Sequence, residues 1–414
     1  MPGTITAVIP TYNRAAMLGD AIESIRSQNR PVDEIIIWDD GSTDGTEAAA
    51  RSAGAVCGDR KADGPLPRLR YFRTENGGKS RALNRALAQA RGDYIWVCDD
   101  DDIALPTAAA TLAARLDADP SLTAAAGGYR RFSDDEATGA RREIGPGYWP
   151  DLSRGTILRH LLEDIFLFQN ATMVRRAAFD AVGPFREDLP RAIDYDMIVR
   201  LACHGPIEVL ETPLFLQRKH DGDRGPAAAR HAAARSEETW KAADRAVFAP
   251  FHDSLPMRLY EAMFHSPDPA LVRRAAYLQR ACVFARRTDW QRAVEDFAAA
   301  ARIAPDTALS DVEIAICRRA LSGKHGCVEV LDRDVQGALR DVALQSSAGG
   351  DIARALVRGI VWRGRAALRR RDYAEAFAIA GLSARLRLAA RKRGTAPDRL
   401  EERDRLPPRA HVTI

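Results

Sequence analysis

No apolar run in the 414 residues approaches the roughly 20 that a helix needs to cross a bilayer, so no transmembrane helix is expected. The longest apolar stretches, such as Ile35 to Trp38, have only the length of a strand. The chain starts MPGTITAVIP, without a basic segment followed by an apolar one, so no secretory leader is expected either. Cysteine is sparse. Cys57, Cys98, Cys203, Cys282, Cys317 and Cys327 are scattered without CxxC spacing. That pattern speaks against a zinc site or a disulfide framework and for a reduced, cytoplasmic compartment. A large excess of one charge is missing too: 61 Lys and Arg face 57 Asp and Glu, for a net charge of +4. With 46% hydrophobic and 29% charged residues, the composition excludes a disordered or fibrous chain. What remains is a globular protein with room for two domains, each with its own core.

The first half alternates two periodicities. Ile5 to Pro10, Glu34 to Trp38 and Tyr94 to Cys98 are short unbroken apolar runs, as expected of strands buried on both faces. Between them, Ala15 to Gln28 and Ser80 to Arg91 carry apolar residues at helical spacing. Strand and helix in alternation predict an α/β fold with a mostly parallel sheet. In such sheets ligands bind beyond the carboxyl ends of the strands. The polar clusters fall at those ends: TYNR (Thr11 to Arg14), DDGSTDGT (Asp39 to Thr46) and DDDD (Asp99 to Asp102).

Each cluster has a chemistry. Four consecutive carboxylates repel one another, and each raises the pKa of its neighbours. A solvated acidic loop would tolerate them. A hard-cation site would use them, because Mg²⁺ or Mn²⁺ is held by one or two carboxylates, with substrate phosphates and water completing the shell. Tyr12 offers a flat face to a base, and Asp40 can accept from a base N–H or a ribose hydroxyl. Asp40 to Asp44 also reads as a turn in which Thr43 or Asp44 caps the next helix. Asn76 to Arg81 forms a glycine-containing entry to a helix, where backbone amides with Lys79 and Arg81 favour anions. It is not a GxxxxGK[ST] phosphate loop, so nucleoside triphosphate hydrolysis is not supported. If Asp194 to Cys203 is a helix, Asp194 heads an apolar stripe with Met197, Ile198 and Leu201, although it would serve equally as an N-cap.

IPTYNR, WDDGSTDGT, ENGGKSRALNRAL and GDYIWVCDDDDIALP, followed by the block from Ala171 to His220, resemble in order and spacing the family 2 glycosyltransferases of GT-A fold. The resemblance implies a GT-A domain over residues 1–225, with a mostly parallel, Rossmann-like sheet. It implies inverting transfer of a sugar from a nucleoside diphosphate donor, UDP-linked in the usual case, to a glycan or lipid-linked acceptor, with Mn²⁺ or Mg²⁺ as cofactor. By position, the donor nucleotide would lie near Pro10, Tyr12, Asn13 and Asp40, with Arg81 toward its phosphates. The family's DxD falls on Asp99, Asp100 and Asp101; Asp101 would be the main metal ligand and Asp99 would lie near the ribose or metal. Asp100 stands where the family often has a small residue. Asp194 matches the catalytic base, with Ile193 in place of the usual preceding Glu. His220, with Arg218, holds the late position that approaches the metal or diphosphate. Two rivals fare worse. A nucleotidyltransferase would carry a glycine-rich loop after its first strand, but no glycine occurs there until Gly19. A decayed, non-catalytic scaffold would not be expected to keep Asp40, Asp101 and Asp194.

From about Pro226 alanine and arginine dominate, and residues 226–414 are expected to be α-helical. Arg287 to Pro305 and Arg370 to Leu386 share Asp, aromatic and a later Ala (Asp289, Trp290, Ala293; Asp372, Tyr373, Ala376), as in degenerate tetratricopeptide-type hairpins. A plain helical bundle fits as well. Sixteen Lys and Arg face seven Asp and Glu from Asp351 to the end. Such a surface is either merely solvated or drawn to anionic lipid, which would place the protein peripherally on a membrane. No nucleic acid is expected, because aromatic interleaving is sparse. The hairpins also suit a protein partner or self-association.

Overall fold

The computed structural model describes residues 2–57, 67–135, 138, 140–219, 236–392 and 394–414. The chain packs into two compact units. One comprises Met1–Asp151, Ile165–Ala234 and Val412–Ile414; the other comprises Leu152–Asp164 and Arg235–His411. The sequence-expected boundary near Pro226 and the site candidate His220 lie outside the described residues.

The first unit is built on a mixed, mostly parallel sheet. Its strands are β1 (Ile5–Thr11), β2 (Glu34–Asp39), β3 (Val56–Cys57), β4 (Arg68–Arg73), β5 (Tyr94–Val97), β6 (Ile103–Ala104), β7 (Ala124–Asp134), β8 (Arg141–Pro146), β9 (Thr172–Arg175) and β10 (Ile207–Arg218). The spatial order is β3-β4-β2-β1-β5-β9-β7-β10-β6, with β8 beside β7. β1 pairs in parallel with both β2 and β5, Val8 facing Ile36 on one side and Val97 on the other. All residues of β1, β2 and β5 are buried, as their unbroken apolar runs require. The parallel run ends at β9, which is antiparallel to both β5 and β7. The sheet therefore reverses just where the Asp99–Asp102 loop leaves β5.

Helices cover the sheet. α1 (Ala15–Arg26) buries Leu18, Ile22 and Ile25. α2 spans Thr46–Ser52, α3 Lys79–Gln89 and α4 Ala108–Ala118. α5 (Ile157–Glu163) belongs to the second unit. α6 is Arg176–Val182, and α7 is Ile193–His204. Neither Thr43 nor Asp44 is the N-cap of α2, which is Gly45, but Asp44 ties the starts of two helices together. The Asp44 carboxylate accepts from Thr46 N (2.9 Å) at the start of α2 and from Ala15 N (3.2 Å) at the start of α1.

The second unit is helical, as its alanine-rich composition implies. Helices Pro269–Arg286 and Trp290–Arg302 pack as one hairpin, and Ser347–Arg369 and Tyr373–Ala389 as another. The two turns have the same chemistry. Thr288 and Arg371 take left-handed φ angles of 60° and 63°. Asp289 and Asp372 follow as side-chain caps, accepting from Arg292 N and Glu375 N. The backbone N–H of each Asp also closes the preceding helix, on Phe284 O (3.0 Å) and Ala367 O (2.9 Å). The shared Asp-aromatic signature thus marks a repeated turn. Among the described residues, no helix is long and apolar enough to cross a membrane.

Candidate functional site

Three strand ends of the first unit are tied together by their own polar residues. At the end of β1, Asn13 has a left-handed φ of 52°. Its backbone N–H donates to Ser42 Oγ (2.8 Å), and its side-chain oxygen accepts from Thr43 N (2.8 Å). Asn13 therefore joins the first loop to the second. Pro10 is buried beside it, and Tyr12 is half-buried. At the end of β2 two adjacent carboxylates divide their duties. Asp39 is fully buried and accepts from Ser42 N (2.7 Å) and the Tyr71 hydroxyl (2.5 Å). Asp40 accepts from Gly77 N (2.9 Å) on one oxygen and Gly78 N (2.8 Å) on the other. Burial nonetheless raises the Asp40 carboxyl above its ordinary value, more than these two bonds lower it. Between them Gly41, at φ +84°, approaches Asn76 N so closely that a Cβ would sit 2.8 Å away. Only glycine fits that turn.

At the end of β5 the four carboxylates alternate. Asp99 and Asp101 are partly exposed, whereas Asp100 and Asp102 are buried. Burial, then the charge of Asp101, pushes the Asp100 carboxyl up to about 7. Asp102 is driven well above its ordinary value by burial and then by Asp101 and Asp99. It is held by Arg218 N (2.8 Å) and Asn170 Nδ2 (2.5 Å). Arg218 also donates from Nε to Asp101 O (2.8 Å), and its guanidinium pairs with Asp134 and with Asp20 (3.1 Å). Its cation is thus committed to fastening the acidic loop. The four acids therefore split into a buried structural pair and an open pair, Asp99 and Asp101.

Lys79 pairs with Asp99 and is coupled electrostatically to Asp194. Its ammonium donates to Asp99 Oδ1. The side chain is exposed; desolvation by the surrounding protein works against its charge, but Asp99 first, then Asp194 and Asp101, hold the lysine protonated above its ordinary value. The Asp194 carboxyl is raised by burial; Lys79 lowers it and Asp99 raises it again. Asp194 lies in the first turn of α7, after Ala192 at a left-handed φ of 55°. It is therefore not the N-cap. With Met197, Ile198 and Leu201 it lines a pocket whose other walls include Gln169, Phe179 and Phe185. The segment before α7 is fixed to α3 by Asn84, which exchanges hydrogen bonds with Phe185 (3.0 and 2.8 Å), and by Ser80 Oγ on Arg186 O (2.8 Å). Arg200 anchors α7 itself, pairing with Asp196 (2.7 Å) and donating to Val182 O (2.7 Å) and Pro184 O (3.0 Å).

Arg81 stands apart from this cluster. It packs over Gly77 and pairs, half-exposed, with Glu187 at 3.4 Å. Two residues absent from the sequence-based site are central to it. Gln169 Nε2 donates to Asp99 Oδ1 (2.8 Å). Asn170 accepts from Asp99 N (2.8 Å) while donating to Asp102, and its backbone oxygen accepts from Trp96 Nε1 (2.8 Å). The signal was two adjacent amides in the otherwise apolar stretch Ile165 to Ala171. Asn170→Ala strips a partner from both Asp99 N–H and the buried Asp102 carboxylate. It should cost about 1–3 kcal/mol of stability in urea denaturation; a change within error would show that water replaces the amide.

Among the described residues no group of three or more His, Cys, Asp or Glu side chains is arranged to hold a metal by itself. The donor set does suit a hard cation that shares its shell with a diphosphate, which needs only one or two protein carboxylates. Asp99 and Asp101 provide these, and the buried Gln169 Oε1 beside them has no partner among the described residues.

Residues 6–183 match the Glycosyl transferase family 2 description. An uncharacterized glycosyltransferase of Rickettsia felis is 30% identical over 224 residues, 52% of this chain and 34% of the relative. Chondroitin synthase of Pasteurella multocida is 29% identical over 207 residues, 50% of this chain and 20% of that protein. The chain thus spans about a third or less of the length of these relatives. Among solved structures, S. aureus TarS 1–349 in complex with UDP-GlcNAc superposes with a TM-score of 0.50 at 15% identity, covering 87% of this chain and 91% of that one. At that identity the likeness is one of fold, and it agrees with the GT-A architecture of the first unit.

Proposed function

We propose, on the premise that residues 6–183 are a family 2 glycosyltransferase domain, that this protein moves a sugar from a nucleoside diphosphate donor to an acceptor hydroxyl with inversion at the anomeric carbon. The observation that carries the reading is the pairing of Lys79 with Asp99 at the end of β5, where the charges of Asp101 and Asp194 also act on the lysine. It supports a diphosphate lying at the strand end with a proton acceptor across from it.

In this reading Pro10, Tyr12 and the Asp40 region receive the nucleotide, uridine in the first instance. Asp40 spends one lone pair of each oxygen on Gly77 and Gly78 and keeps others for a base or ribose. Asp99 and Asp101 hold Mn²⁺ or Mg²⁺, which when bound supplies Lewis-acid neutralisation of the leaving diphosphate. Lys79 adds a second positive charge that needs no reorganisation during the reaction. Asp194 takes the proton from the acceptor hydroxyl as it attacks. Its raised pKa makes it a better base than a solvated carboxylate. The acceptor is proposed to be a glycan or a lipid-linked sugar, and the working compartment the cytoplasm.

The direct test is a donor screen that measures released nucleoside diphosphate with and without Mn²⁺. Absence of metal-dependent release or transfer across the common nucleotide sugars would overturn the reading. Donor binding has its own check. At about 100 Kd of ligand, stabilisation should reach about 2.7 kcal/mol, seen as a rise in melting temperature with UDP and Mn²⁺ together. Asp101→Ala should remove that metal-dependent rise. A full rise in the variant would take Asp101 out of the metal site.

A further inference from the structure

The last helical hairpin carries an apolar face that no described element of its unit covers. In helix Tyr373–Ala389, the residues Ile379, Leu382 and Leu386 are buried inward. Tyr373 (57% exposed), Phe377 (76%) and Leu388 (87%) project outward, with the exposed Ala380 and Ala384 between them. Their spacing places all five on one helical stripe. The partner helix adds Trp362 (48%) and Leu368 (55%). A helix apolar on both faces is normally buried on both. The equivalent turn in the earlier hairpin shows the contrast: Trp290, which corresponds to Tyr373, is 3% exposed.

The charge around the stripe selects what covers it. From Arg358 to Lys392 the chain has ten Lys and Arg and only two acids, Asp372 and Glu375. Both acids are engaged, Asp372 as a cap and Glu375 with Arg363 and Arg370. Arg365, Arg369, Arg371, Arg385 and Arg387 are exposed beside the apolar residues. A second copy laid on this face would bring arginines against arginines. A surface with apolar depth and dense negative charge satisfies both features. Aromatic and aliphatic side chains enter the acyl boundary, while each Lys or Arg near anionic head groups adds attraction.

We propose that the outer face of the Ser347–Ala389 hairpin is a docking surface for an anionic lipid membrane. This inference stands on the second unit alone and does not depend on the transferase reading. The test uses the full chain and sedimentation with vesicles. Protein should pellet with equimolar phosphatidylglycerol and phosphatidylcholine, stay in solution with phosphatidylcholine alone, and be released as salt rises to about 0.5 M. Phe377→Ser with Leu388→Ser should weaken vesicle binding at least about tenfold with an unchanged melting temperature, since both side chains are exposed. Arg365→Gln with Arg369→Gln and Arg387→Gln should weaken it similarly. Failure of the wild-type protein to pellet, or pelleting of either variant as complete as that of the wild type, overturns the proposal. So does a dimer, seen by light scattering, that the Phe377/Leu388 variant loses in the absence of vesicle binding, because the face would then belong to a second copy.

Discussion

Replacing Asp194 with Asn is expected to cut glycosyl transfer by about 10²–10⁴-fold, the usual span for losing a positioned base, with donor binding almost intact. The residue lines the apolar pocket walled by Phe179 and Phe185. An amide keeps the shape and loses the proton acceptor. Transfer should be followed as acceptor product, and donor binding as the thermal shift with UDP and Mn²⁺. A variant that turns over within a few-fold of the wild type would remove Asp194 from the chemistry.

The pH dependence follows with its sign. Burial raises the Asp194 carboxyl, Lys79 lowers it, Asp99 raises it, and the net direction is upward. A base acts only when deprotonated, so activity falls as pH drops through this raised value. The acid limb of kcat/KM should therefore lie above the ordinary carboxylate range, about 4. Lys79→Met removes the lowering influence and should move the limb to still higher pH. An acid limb unmoved by that change would break the coupling between Lys79 and Asp194. For stability the sign is opposite to that of a salt-bridged acid. Folding favours the protonated form, so this group's stabilising contribution is present at low pH and is lost as pH rises through the folded value. Asp194→Asn should consequently not destabilise the protein at neutral pH.

The largest stability effect is expected at Arg274. Its side chain is wholly buried in the second unit, bonded to Glu313 at 2.6 and 3.0 Å and to the carbonyls of Ala304 (3.0 Å), Thr307 (2.8 Å) and Ala308 (3.0 Å). Arg274→Met leaves a buried carboxylate and three carbonyls without their donor. The cost should be about 3–5 kcal/mol, measured by urea denaturation of the full chain. Glu313 keeps its bonds to Ser310, which limits the loss from that side. Arg274→Lys should recover little, because one ammonium cannot serve five acceptor positions in a planar fork. A loss under about 1 kcal/mol would mean that water reaches the site and satisfies the exposed groups.

The parts of the fold that were legible in the sequence are those with a strong local period. β1, β2 and β5 appear as unbroken apolar runs because a parallel strand is buried on both faces. α1 and α3 appear as stripes because each buries one side and leaves the other to solvent. β7, β9 and β10 carry no comparable signal. β7 mixes alanine, glycine and arginine, and β10 is partly exposed over half its length. Their pairing, and with it the reversal of strand direction beyond β5, is decided by contacts distant in sequence. The same division runs through the site. Asp99 to Asp102 stand out as a charge cluster, but their partition follows from a turn, with Asp102 N directed back at Asp99 O, set against Arg218 at the end of β10 and Asn170 in the short turn before β9.

By itself the sequence determined the α/β class of the first half, the helical class of the second, and the chemistry available at three strand ends. Tertiary structure alone decided which carboxylates remain open. It paired Lys79 with Asp99 and set it within the field of Asp194 and Asp101, committed Arg218 to fastening the acidic loop, and left the Tyr373–Leu388 stripe bare. The physical reason is the same in each case. Periodicity and composition act over a few residues, whereas burial, pKa and the pairing of charges depend on neighbours that only folding brings within a few ångströms.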